Sequence, residues 1–112
     1  MNSQVSVLSS KVDVTLLRHS AQEATVLLKA LANTDRLMLL CQLSQGECNV
    51  SELETLLGIR QPTLSQQLGV LRDERLVETR RDGKNIYYRI ASPSALAVIR
   101  TLYEQFCARE KS

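Results

Sequence analysis

No stretch of this sequence approaches the about 18 consecutive apolar residues that a membrane-crossing helix needs, so no membrane span is expected. The opening segment MNSQVSVLSSKV lacks a charged region followed by an apolar one. No secretory leader is expected, and the expected location is cytoplasmic. Cysteine is sparse and odd in number, with three residues at Cys41, Cys48 and Cys107, which argues against a framework of structural disulfides. Histidine is sparser still. With His19 alone, no Cys-His or Ser-His constellation is available, and catalysis is not expected. Internal repeats and low-complexity segments are also missing. At 112 residues the chain is one domain. It is short enough that burying surface against a second copy would help it.

Charge is present but unevenly placed. The formal net charge is only +2. Between Gly58 and Ala91, seven basic residues (Arg60, Arg72, Arg75, Arg80, Arg81, Lys84 and Arg89) stand against four acids. That segment carries +3 and the remainder −1. Taken alone, such a run reads as a solvated face. Its position relative to the predicted elements gives it meaning.

Residues 1–13 are polar and expected to be a poorly ordered tail, leaving 14–112 as the single folded domain. From Val14 to Ala32, Leu17, Ala21, Ala24, Leu28 and Leu31 recur at steps of three and four, which predicts a helix. Leu16, Leu27 and Ala30 widen its apolar surface beyond one stripe. Asn33 reads as the N-cap of a second helix, Thr34 to about Leu43, ending near Gly46. In SELETLLG, Ser51 and Glu54 have capping-box spacing and Gly58 supplies a stop. A further helix follows, with Pro62 in its first turn and Leu64, Leu68 and Leu71 facing inward. Its opposite face is polar: Thr63, Gln66, Gln67 and, to the side, Ser65. The period then changes. Asp82-Gly83 signals a two-residue hairpin turn, which sets Val77 opposite Tyr88 and puts Val77, Ile86 and Tyr88 on the buried face. Ser92 and Pro93 open a last helix, with Ala95, Ile99, Leu102 and Phe106 on one row and Tyr103 and Cys107 on the next. The expected order is four helices, a hairpin and a helix. Two tandem helices joined by a three- or four-residue turn and followed by a two-stranded wing form a winged helix-turn-helix.

The segments RLMLLCQL and VSELETLLGIRQPTLSQQLGVLRDERLVETRRDGKNIYYRI resemble the ArsR/SmtB family of small dimeric bacterial repressors. The resemblance runs from about Leu27 to Cys107. It implies a mainly helical fold with a hairpin wing, a homodimer formed through the first and last helices, and double-stranded operator DNA as partner. The residue chemistry agrees. A major groove admits one helix, whose polar side chains near the N-terminal end reach base edges, and glutamine matches adenine. Arg60, Gln61, Thr63, Ser65, Gln66 and Gln67 are therefore the candidate reading residues. Arg60 stands where many relatives carry a capping serine, and adds a charge that seeks phosphate. Arg80, Arg81 and Lys84 at the wing suit phosphates or a minor groove. They equally suit a guard against edge-strand aggregation.

What such a protein would sense is a separate matter. One metal site of the family needs a Cys-x-Cys pair before the tandem helices, and GECNVSEL holds only Cys48. Another needs Asp, His and Glu from the last helix, which has no histidine. No metal site and no cofactor are expected, and His19 reads as a surface or interface residue. By its surroundings alone, Cys41 in LMLLCQL is a small core residue. Cys41 together with Cys107, however, resembles the BigR-like and HlyU-like subgroup. There two cysteines so placed form a redox switch for reactive sulfur species, which implies a persulfide or polysulfide as inducer. The reduced pair is expected to lie somewhat beyond simple disulfide reach. Lys111, one turn on, would favour the Cys107 thiolate, and Cys48 is expected to be an incidental loop thiol. A thiol-inert regulator, whether repressor or anti-silencing activator, and a metal-responsive repressor remain the alternatives.

Overall fold

The computed structural model describes residues 13–108. The tail expected over 1–13 lies outside them except for Asp13, which belongs to the folded domain. Its carboxylate accepts hydrogen bonds from the Thr15 and Leu16 N–H groups and caps α1, Val14–Leu31. Asn33 caps α2, Thr34–Leu43, through the Arg36 N–H at 3.0 Å. A two-residue strand β1, Cys48–Asn49, comes next and was not expected. Helix α3, Val50–Leu57, is capped by a reciprocal box between Asn49 and Glu52 rather than by Ser51 and Glu54, which lie inside the helix and are exposed. Both spacings are present in NVSELE. The upstream one prevails because Asn49, at the end of β1, has the extended backbone that an N-cap needs.

Gly58 ends α3 in the left-handed conformation, at φ 70°, where a side chain would be strained. The turn to α4, Thr63–Asp73, spans five residues. Ile59 sinks into the core and anchors it. The Gln61–Pro62 peptide bond is cis, and the Pro62 carbonyl accepts the Gln66 N–H. Leu64, Leu68 and Leu71 are all buried, as their spacing predicts.

Strands β2, Val77–Asp82, and β3, Asn85–Ile90, form the wing, and β1 joins β3 on its other side to give the antiparallel order β1-β3-β2. Val77 pairs with Ile90 and Asp82 with Asn85, so the two-residue turn is Gly83-Lys84, not Asp82-Gly83. Only Gly83 takes a positive φ there, and no aspartate has to. The ladder is thereby displaced by two residues from the expected one. A shift of two keeps every side chain on its face, so Val77, Ile86 and Tyr88 still point the same way, now joined by Ile90.

Ser92 caps α5, Pro93–Leu102, with Pro93 in its first turn. The helix continues as a π-helical turn, Tyr103–Ala108. Ala95 and Ile99 are buried, but Phe106, expected on the same row, is 67% exposed. Leucines of α2, α3 and α4 together with Ile99 form the core. Each fully buried leucine stabilises the fold by about 1.5–3 kcal/mol. Helix α2 lies at the centre and packs against both α4 and α5. Helix α1 buries only Ala30 and Leu31, while Val14, Leu16, Leu17, Val26 and Leu28 stay exposed.

Candidate nucleic-acid interface and thiol pair

Helix α4 leaves part of its polar face exposed. Ser65 and Gln66 are exposed, as are Arg60 and Gln61 in the turn before it, and Thr63 is half-buried. Pro62 provides no side-chain cap. That work falls to Gln61, whose Oε1 accepts the Ser65 N–H at 3.1 Å. Gln61 is thus partly committed to the helix it precedes. Gln67 departs further from expectation. It is half-buried, and its Oε1 accepts from an Arg36 guanidinium N–H at 2.8 Å. Of the candidate reading residues on α4, Ser65 and Gln66 are thus the exposed ones, preceded by exposed Arg60 and Gln61 and half-buried Thr63.

The wing shows the same division. Arg81 and Lys84 are exposed beside the Gly83 turn and have no ion pair with another described residue. Arg80 is engaged within the fold. Its guanidinium forms a forked pair with the Glu47 carboxylate, Nε–H donating to Oε1 at 2.9 Å, and lies over the Tyr87 ring at 4.6 Å. The hydrogen bonds from Arg80, with its charge adding to them, hold the Glu47 carboxyl below its ordinary range. Composition gave no sign of this pair, since Glu47 lies 33 residues before Arg80.

The cysteines are free thiols in three different settings. Cys48 is buried in the core on β1, not placed in a loop as expected, and its Sγ lies 3.9 Å from the Gly46 carbonyl oxygen. Cys41 is half-buried on α2, one turn after Leu37. Cys107 is exposed on the π-helical turn. Both line one open groove of about 370 Å³, together with Thr34, Leu37, Met38, Leu102, Tyr103 and Phe106. Burial raises the Cys41 thiol pKa, and the nearby Cys107 adds to the effect. Lys111, expected to act on Cys107, lies outside the described residues. His19 is exposed on α1, 3.6 Å from Glu23. Among the described residues, no group of three or more His, Cys, Asp or Glu side chains is arranged to hold a metal ion.

This geometry can be set beside known proteins. Residues 33–79 match the model of the family described as bacterial regulatory protein, arsR family. The biofilm growth-associated repressor of Agrobacterium fabrum is 51% identical over 102 residues, covering 91% of this chain and 87% of the relative. The chain belongs to the arsR family of bacterial regulatory proteins. The crystal structure of the transcriptional repressor BigR from Xylella fastidiosa superposes on this arsR-family protein with a TM-score of 0.81 at 49% identity, covering 89% of this chain and 99% of that one. Reduced HlyU from Vibrio cholerae does so with a TM-score of 0.79 at 38% identity, covering 81% and 96%. The arsR-family chain is accordingly a DNA-binding transcriptional regulator with a winged-helix fold, not an enzyme. The matched segment runs from the cap of α2 into β2 and contains α4 and Cys41, whereas Cys107 lies beyond it.

Proposed function

We propose that this protein is a dimeric repressor that binds double-stranded operator DNA and releases it when Cys41 and Cys107 are joined through sulfur. The observation that supports the thiol reading is the shared groove. Two cysteines far apart in the chain face one apolar recess, and the helix carrying one of them packs directly on the reading helix. The relative termed reduced HlyU fits a protein whose redox state matters.

Exposure makes Cys107 the sulfur that an incoming persulfide meets, and the raised pKa of Cys41 keeps that thiol protonated. The Cys107 thiolate attacks the sulfane sulfur of R–S–S–H, giving Cys107–S–S–H and expelling R–S⁻. Cys41, once deprotonated, attacks the Cys107 Sγ itself, breaking its bond to the outer sulfur, forming the Cys41–Cys107 disulfide and expelling hydrosulfide, so the persulfide takes up the two electrons. If Cys41 has itself been persulfidated, its terminal sulfur makes the attack and the bridge is a trisulfide. Each added sulfur lengthens the reach by up to about 2 Å. A persulfide donor is therefore expected to release DNA more readily than peroxide. The bridge ties α2 to the end of α5, and two recognition helices that must meet half-sites about 34 Å apart no longer fit.

The test is a gel shift on a duplex selected from a random pool by the reduced protein, with persulfide, peroxide or excess zinc added and the thiols trapped for mass spectrometry. Persulfide should release the duplex with Cys41 joined to Cys107. Cys41→Ser and Cys107→Ser should each bind without responding, and Cys48→Ser should bind and respond. Loss of the response in Cys48→Ser alone, or release by zinc but not by persulfide, overturns the thiol reading. A second reading, of an activator that displaces another DNA-bound protein, is favoured by one relative's name, the transcriptional activator HlyU. Transcription from a promoter carrying the selected site should fall on adding the reduced protein if it represses, and rise if it activates.

A further inference from the structure

Arg36 stands three residues after the Asn33 cap, and its guanidinium reaches two other helices. Its Nε–H donates to the Ala30 carbonyl at 2.6 Å and an Nη2 N–H donates to the Lys29 carbonyl at 3.2 Å. An Nη1 N–H donates to Gln67 Oε1 at 2.8 Å. The two carbonyls belong to the last turn of α1, where regular helical donors run out, the Lys29 oxygen also accepting the Ala32 N–H at 3.3 Å, and where a cation meets the negative end of the helix dipole. Arginine offers only donors, so the Gln67 atom that faces it is the amide oxygen. The planar fork fixes direction as well as distance.

We propose that Arg36 is a positioning residue for DNA recognition. It clips the end of α1 to the middle of α4 and sets the angle at which Ser65 and Gln66 meet bases. Gln67 adjoins Gln66 in the chain, so any roll of α4 that moves one moves the other. The leucine face of α4 resists separation, but apolar contacts tolerate small rotations that a directional, half-buried hydrogen bond does not. The clip also refers α4 to the helix proposed to join the subunits, and in that respect it rests on the dimer reading above. Glutamine is a base-reading residue type, and here its oxygen is already taken by the protein.

The measurement is fluorescence anisotropy with the selected duplex and with a scrambled duplex of equal length. Arg36→Met and Gln67→Ala should each weaken the selected duplex by about tenfold, the scale of one hydrogen bond to a charged group. Scrambled-duplex affinity should change by less than about twofold, and the double variant should be no worse than the weaker single one. Arg36→Lys keeps the charge but loses the fork, and should lose selectivity like Arg36→Met. Gln67→Glu offers a stronger acceptor to Arg36 and should retain both affinity and base preference. Equal losses on both duplexes reduce Arg36 to a general structural role and overturn the proposal. A changed base preference in Gln67→Glu, or losses that add in the double variant, overturns it by making Gln67 a direct reader. Should Arg36→Met fail to fold, the two Gln67 variants decide by the same criteria. A Gln66→Ala control that leaves selection unaltered would instead sink the reading role of α4, independently of the clip.

Discussion

Gln66 and Gln67 are chain neighbours with opposite surroundings, one in solvent and one held by Arg36. Helical spacing placed both on the polar face, but the identity of a hydrogen-bond partner 31 residues away is not written in the local pattern. The leucines were legible for the contrary reason, since periodicity alone determines the buried stripe. Gln66→Ala should relax base preference by about 1–3 kcal/mol of discrimination, read by competition between single-base variants of the selected site. Equal losses on all variants would remove Gln66 from base reading. The cysteines give a pH prediction at this same scale. Burial raises the folded pKa of Cys41, so the fold favours the protonated thiol. That contribution to stability is present below the pKa of an unfolded cysteine, about 8.5, and is lost as pH rises through the higher folded value. Alkylation of Cys41, followed by mass spectrometry, should keep accelerating above pH 8.5. A midpoint at or below the free-thiol value would contradict the stated effect of burial.

Among the elements, the helices with long apolar repeats and clear caps at Asn33 and Ser92 were legible, and the shortest pieces were not. β1 has two residues, too few to show a period, and it exists because β3 offers it an edge. Its end then fixes the α3 cap at Asn49, and Asn49→Ala should cost about 1 kcal/mol in chemical denaturation. No change in midpoint would return the cap to Ser51. The wing carries a subtler expectation. Arg81→Ala and Lys84→Ala should each lower the slope of log K against log salt by about 0.9 per lost phosphate contact, while Arg80→Ala should do less because Glu47 already holds Arg80. Glu47→Gln should then release Arg80 and steepen the slope. Three arginine and lysine variants of equal effect would mean that the Glu47 pair opens on DNA.

For the molecule as a whole, the telling feature is α1, which carries five large apolar residues in solvent while burying only its last turn. The expected occupant of that surface is a second copy. Leu17 is 54% exposed, so Leu17→Glu should leave the protomer folded. It should nevertheless turn a dimer into a monomer in sedimentation velocity and abolish binding to a two-half-site duplex. Leu102, half-buried, should behave similarly with some added loss of stability. A monomeric wild type that still binds tightly would refute the assembly. The sequence signalled this exposed apolar surface as one wider than a single stripe, because a surplus of apolar residues is countable even when its partner is not.

The depth of Cys41 has a consequence for time as well as for chemistry. A reductant resetting the bridged protein reaches the exposed Cys107 sulfur first and must displace Cys41 as the leaving group. A thiolate of raised pKa leaves slowly. In the proposed switch, the groove that would make joining intramolecular would therefore make unjoining slow, and DNA binding should show hysteresis. After a brief sulfur pulse, DNA binding should recover more slowly with added thiol than it was lost. A cell using such a protein would keep a short memory of its last encounter with persulfide.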